Sequence, residues 1–180
     1  MRELTKETGL TAALLLAVLV TGNAQTATNG SELVRHEPRK QHVLFAPGGF
    51  ERAVVLLSGT REFKYFQFSL DRPLNLSIEG PTELIIKVRL LFDISLKGAQ
   101  DYSLVIKEPS FFGGASEVGR HNLIARKSTT SSLKGINDIV PSKAHVFTMI
   151  VPKGRHDYTF HLRAPSTPSA IIRVLAPKKD

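Results

Sequence analysis

Residues 84–92 read LIIKVRLLF, and their reading decides the fold. Leu84, Ile86, Val88, Leu90 and Phe92 recur at every second position, while Ile85, Lys87, Arg89 and Leu91 fill the alternate ones. A strand sends successive side chains to opposite faces, so this spacing predicts a β-strand with one wholly apolar face. Both cations then share the other face. Two readings of that face stay open. Either Lys87 and Arg89 simply meet water, or they form a cationic strip flanked by the apolar Ile85 and Leu91.

The same period recurs on either side of this stretch. HVLFA (42–46), AVVLL (53–57), FKYFQFSL (63–70), LNLSI (74–78) and DYSLVIK (101–107) read as strands, as do AHVFTMIV (144–151), DYTFHLR (157–163) and AIIRVL (170–175). In FKYFQFSL the alternation places Phe66, Phe68 and Leu70 on one face. Gly80-Pro81 breaks the chain by turn chemistry, and PKG at 152–154 is expected as a hairpin turn with Gly154 at positive φ. APSTPSA (164–170) is a Pro-rich connector. The expectation is an all-β chain: an antiparallel β-sandwich or jelly roll of about nine strands, spanning residues 42–180. Residues 109–143 lack the rhythm and are expected as a long loop region, with at most one strand near 121–126.

The N-terminus has the layout of a secretory signal. Arg2 and Lys6 precede an apolar run from Gly9 to Val20, and Gly22 and Ala24 supply small residues for cleavage after Ala24. The run is shorter than the ~20 residues of a permanent membrane anchor, although Glu3 and Glu7 weaken the basic end and an uncleaved N-terminal anchor is the alternative. Residues 1–24 are therefore expected as a signal helix that is removed, and 25–41 as a loose polar leader. The chain has no cysteine, which excludes disulfides, thiolate metal sites and a cysteine nucleophile. A disulfide-free exported domain points to a bacterial periplasm or cell surface.

The formal charge is +8. Arg2 and Lys6 balance Glu3 and Glu7 in the removed segment, so the mature domain keeps this excess. Outside the cytoplasm, the partners of a basic surface are anionic envelope polymers, acidic glycans, anionic lipids or acidic proteins, and not nucleic acid; the alternative is that the charge serves general solubility alone. No transmembrane segment is expected in the mature protein, and the oligomeric state is open.

Motifs for chemistry are sparse. GASEVGRH (114–121) has the glycine spacing of a phosphate loop, but Arg120 and His121 stand where Lys and Ser/Thr are required. The histidines His36, His42, His121, His145, His156 and His161 show no metal-binding spacing, though His145 and Asp157 could approach across the expected hairpin. Ser116 lacks the turn that exposes a nucleophile. No catalytic residue, cofactor or metal is expected. Phe111 and Phe112 are adjacent and cannot both point inward from a strand, so one is a candidate for a partner or membrane. The alternative is that the pair plugs an end of the sandwich. The candidate ligand-binding residues are Lys87, Arg89, Phe111, Phe112 and Arg120.

KYFQFSL, LNLSIEGPTELIIKVR, DYSLVIKE and FTMIVPKGRHDYTFHL together resemble the non-catalytic jelly-roll modules of exported bacterial proteins, of the pre-peptidase C-terminal kind. The resemblance covers roughly residues 63–163. It implies a sandwich fold and export, and says little about a ligand. The chain departs from such modules in lacking their acidic, calcium-prone residues, and no stretch of these 180 residues reads as a catalytic domain. The expected function is an exported, non-catalytic module that binds an anionic envelope polymer or a protein partner. A structural subunit of an envelope assembly and an unrecognised hydrolase are the alternatives.

Overall fold

The computed structural model describes residues 41–110, 113–164 and 167–178. These belong to one compact unit, Pro38–Asp180. The expected signal segment, most of the leader, and Phe111 and Phe112 lie outside the described residues.

The fold is all-β and antiparallel, with ten strands among the described residues against the nine or so expected. They are β1 (His42–Phe45), β2 (Arg52–Ser58), β3 (Arg61–Ser69), β4 (Leu74–Asp93), β5 (Gln100–Pro109), β6 (Ala115–Ala125), β7 (Ser131–Leu133), β8 (Ile139–Pro141), β9 (His145–Arg163) and β10 (Ser169–Pro177). Two long strands organise the rest. The first half of β4, from Leu74 to Gly80, pairs with Gly154 to Phe160 of β9. β9 then pairs with β5, and β5 with β6. The second half of β4 pairs with β9 residues 145–151 on one edge and with β10 on the other. β3, β2 and β7 follow in order beyond β10, and β1 pairs with the far half of β10.

The two breaks read as turns are instead corners. β4 runs through Gly80-Pro81, a cis bond, and β9 runs through Pro152 to Gly154. The register slips there, so that Pro81 alone faces Pro152 and Lys153. A bulge of this kind bends a strand and lets it continue in another direction. Gly154 does take a positive φ, of 111°, but inside a continuous strand. The corner folds the sheet over on itself. Leu74, Leu76, Leu104 and Phe160 from one half then meet Phe66, Phe68, Ile86, Val88 and Ile172 from the other in a single core.

The opening stretch behaves as its alternation demands. Leu84, Ile86, Val88, Leu90 and Phe92 are buried in that core. Leu70 departs from its expected place: β3 ends at Ser69, and Leu70 is 41% exposed.

Residues 109–143 are not a single long loop. β6 pairs with β5 from Ala115 to Ala125, with Val118 inserted as a bulge between Gly119 and Glu117. β7 pairs with β2, and β8 with the end of β4. The short β7–β8 segment lies on the outer face of the second half-sheet. There Leu133, Ile136 and Ile139 join Val54, Leu56, Tyr65, Leu91 and Ile171 in a second, smaller core. No helix among the described residues is long and apolar enough to cross a membrane, which leaves strand-built spans unaddressed.

Candidate binding surface

The outer face of the second half-sheet is built by alternation on four neighbouring strands. β10 contributes Ile171, Arg173 and Leu175; β4 contributes Ile85, Lys87, Arg89 and Leu91. β3 contributes Phe63, Tyr65 and Gln67, and β9 contributes Val146, Thr148 and Ile150. One end of this face is roofed by the β7–β8 segment over Leu91 and Ile171. The remainder carries the cations.

Lys87 and Arg173 are register partners on adjacent strands. Directly opposed like charges are destabilising unless something neutralises them. Arg89 lies two residues along β4 on the same face, about 7 Å further by strand rise. All three side chains are half-buried. The Arg89 Nη1 donates a hydrogen bond to the Ser142 carbonyl oxygen at 2.6 Å, and the Arg173 guanidinium sits 5.0 Å from the centroid of the Phe63 ring. The Nε atoms of both arginines are buried and without a hydrogen-bond partner among the described residues. No ion pair to Lys87, Arg89 or Arg173 forms among the described residues. On β4 the nearest acids on this face are Glu83 and Asp93, at either end of the series, and Asp93 is occupied by Ser95.

Lys87 and Arg89 are thus neither simply wet nor fully buried. Arg89 marks the edge of the second core, and Lys87 stands beyond it. Arg173 completes the group and was missed in the sequence. Its signal was present: AIIRVL carries a lone cation in an apolar strand, as the opening stretch does.

Arg120 is not part of this cluster. It pairs in register with Val105 on the outer face of the other half-sheet, where its guanidinium bonds Glu117 at 2.7 Å. That contact holds the Glu117 carboxyl below its usual range. The surrounding face is a polar ladder, with Ser103 bonded to Asn122, Thr159 to Asn75, and Ser77 to Asp157.

Several concavities flank the sandwich, and two of them adjoin β6. An open depression of about 790 Å³ lies against Asp101, Ser103, Asn122 and Arg163, with Leu70 and Ile124 at its rim. A groove of about 490 Å³ runs between the unpaired edges of β6 and of the first part of β9. Its walls include Glu108, His121, Met149 and Tyr158, and its lips are Val118 and Ile150. His156 Nδ1 lies 2.6 Å from Glu108 Oε1, and this contact raises the His156 pKa.

His121 and His145 join the two half-sheets. His121 stacks on Phe147 at 3.9 Å, and His145 Nδ1 is hydrogen-bonded to the Tyr102 hydroxyl at 2.8 Å. Burial lowers both histidine pKa values and raises that of Tyr102. His145 does not meet Asp157, because 152–154 is a corner and not a turn that would fold one onto the other. Among the described residues, no three His, Asp or Glu side chains gather as a metal site.

No family model matches the chain, and no curated relative matches it. Among solved structures, it is similar to the CBM22-1–GH10 modules of Clostridium thermocellum xylanase Xyn10B, complexed with xylohexaose, with 13% identity and a TM-score of 0.39. That overlap covers 77% of this chain and 29% of the other. It is also similar to the CBM22-1 xylan-binding domain of Paenibacillus barcinonensis Xyn10C, at 8% identity and a TM-score of 0.34, covering 77% and 87% of the two chains. Likenesses at this distance do not bear on what the present chain binds.

Proposed function

We propose that the protein is an exported, non-catalytic β-sandwich that binds an anionic polymer of the cell envelope, through the outer face formed by β4 and β10. The observation that supports this most is the placement of Lys87 opposite Arg173 with Arg89 alongside, and with no acidic side chain among the described residues to neutralise them. A fold under selection for stability alone has no use for a directly opposed like-charge pair. An anionic ligand converts the same pair into favourable contacts. Arg89 and Arg173 are each held by a neighbour, so less side-chain freedom is lost on binding. The exposed Val146 and the half-buried Ile85 and Leu175 offer apolar surface beside the charges.

The test is retention of the purified domain on a sulfated or uronic polysaccharide and on a neutral one, over a range of salt. The reading expects retention on the charged polymer only, weakening as salt shortens the ~10 Å Debye length of dilute buffer. Equal retention on both polymers would contradict it.

A further inference from the structure

We infer that the Lys87–Arg89–Arg173 cluster is a site for a phosphoryl group, specifically a phosphate monoester carried on a glycan. This rests on the anionic-polymer reading and narrows it. Charge and geometry favour phosphate over carboxylate. The register places Lys87 and Arg173 side by side, at the ~4.5–5.5 Å Cα separation of antiparallel neighbours. Arg89 follows within one strand repeat of about 7 Å. The three backbone positions fall inside one Debye length, so the charges they carry act together on whatever binds there.

A carboxylate carries a single negative charge on two oxygens. One arginine fork satisfies it, leaving two of the three cations unneutralised. A phosphate monoester carries about −1.5 to −2 charges at neutral pH, with three acceptor oxygens. It can offer one oxygen to each of the three cations and neutralise most of their charge. The two guanidinium groups are already oriented, Arg173 by the Phe63 ring and Arg89 by the Ser142 carbonyl. The Nε atoms of both arginines are buried, so each offers its Nη donors to the phosphate, while lysine contributes a point charge that adapts. Ile85 and Leu175 lie next to Lys87 and Arg173 in the register, giving the carrier of the phosphate a half-apolar seat.

The experiment uses calorimetric titration of the domain with glucose 6-phosphate, glucose 6-sulfate and glucuronate. Vesicles containing phosphatidic acid form a separate arm that distinguishes a lipid-borne phosphate from a sugar-borne one. The expected result is a preference for glucose 6-phosphate of about tenfold over glucuronate, with sulfate between them. Lys87→Ser and Arg173→Ser should each weaken phosphate binding by about tenfold, and Lys87→Arg should restore most of the loss. Arg120→Ser, on the other face, should change nothing. Thermal midpoints of every variant separate lost binding from lost fold.

Binding of the vesicles without binding of glucose 6-phosphate overturns the sugar-borne source. Equal binding of all three small anions overturns the phosphoryl assignment and leaves the anionic-polymer reading standing. Absence of binding by every anion, with the domain also unretained on charged polysaccharide, overturns both. Unchanged phosphate binding in both serine variants overturns the site.

Discussion

Gly80 of β4 sits opposite Gly154 of β9, and between them the sheet turns its corner. A Cβ built on Gly80 would lie 1.8 Å from the backbone oxygen of Pro152, an approach no side chain tolerates. Gly154 has open space around it and needs glycine only for its φ of 111°. Gly80→Ala should therefore destabilise the domain by about 3 kcal/mol or more, and Gly154→Ala by about 1–2 kcal/mol. Urea unfolding of the two variants checks this. Equal, small losses would show that the corner does not depend on close approach at Gly80.

Val88 is buried in the main core, while the side chain of its neighbour Lys87 makes no ion pair among the described residues. Val88→Asp should prevent folding, because an unpaired buried carboxylate costs several kcal/mol. Lys87→Thr should leave stability within about 0.5 kcal/mol of the parent, with any change upward as the opposition to Arg173 is relieved. Circular dichroism and thermal melts decide both. A large loss in Lys87→Thr would make the lysine a structural element and weaken its assignment to a ligand.

Acid should loosen the sandwich at the β6–β9 junction. Burial holds the pKa values of His121 and His145 below the ordinary histidine value, so both bind protons less readily in the fold than when unfolded. Their contribution is intact above the unfolded value near 6.5 and is lost as pH falls below it. His156 has the opposite sign. Its hydrogen bond to Glu108 raises its pKa, so its contribution is present at low pH and is lost as pH rises through the folded value. Replacing His145 by Gln should flatten the fall in thermal midpoint between pH 7 and 5; replacing His156 by Gln should steepen it. Parallel pH profiles for the parent and both variants would refute the assignment.

The β-rhythm was legible because it is local. LIIKVRLLF announces its inward face by composition alone, and Leu84 through Phe92 sit as that pattern requires. The corners were not legible, since Gly80-Pro81 and Pro152–Gly154 use the same residues as a turn. Only the register between β4 and β9 shows that both strands continue. β6 was hidden for another reason. As an edge strand it exposes Ser116, Glu117 and Val118 in succession around a bulge, which erases the alternation. The cationic cluster was half legible. Lys87 and Arg89 declare themselves within one strand, but Arg173 joins them only through pairing across some eighty residues of chain.

β6 yields its own test. Its pairing with β5 should slow hydrogen exchange at the alternate amides of residues 119–125 that point toward β5, while those on the open edge exchange quickly. Uniformly fast exchange over 115–125 would return the segment to the loop expected from its composition.

The most direct test of the central claim is to map, by amide chemical shifts, where a charged polysaccharide touches the folded domain. The account predicts perturbations concentrated at residues 85–89 and 171–175, spreading to Phe63 and diminishing with added salt. Shifts confined to Asp101, Ser103, Asn122 and Arg163, or to the groove beside Ile150, would place the ligand elsewhere and contradict it.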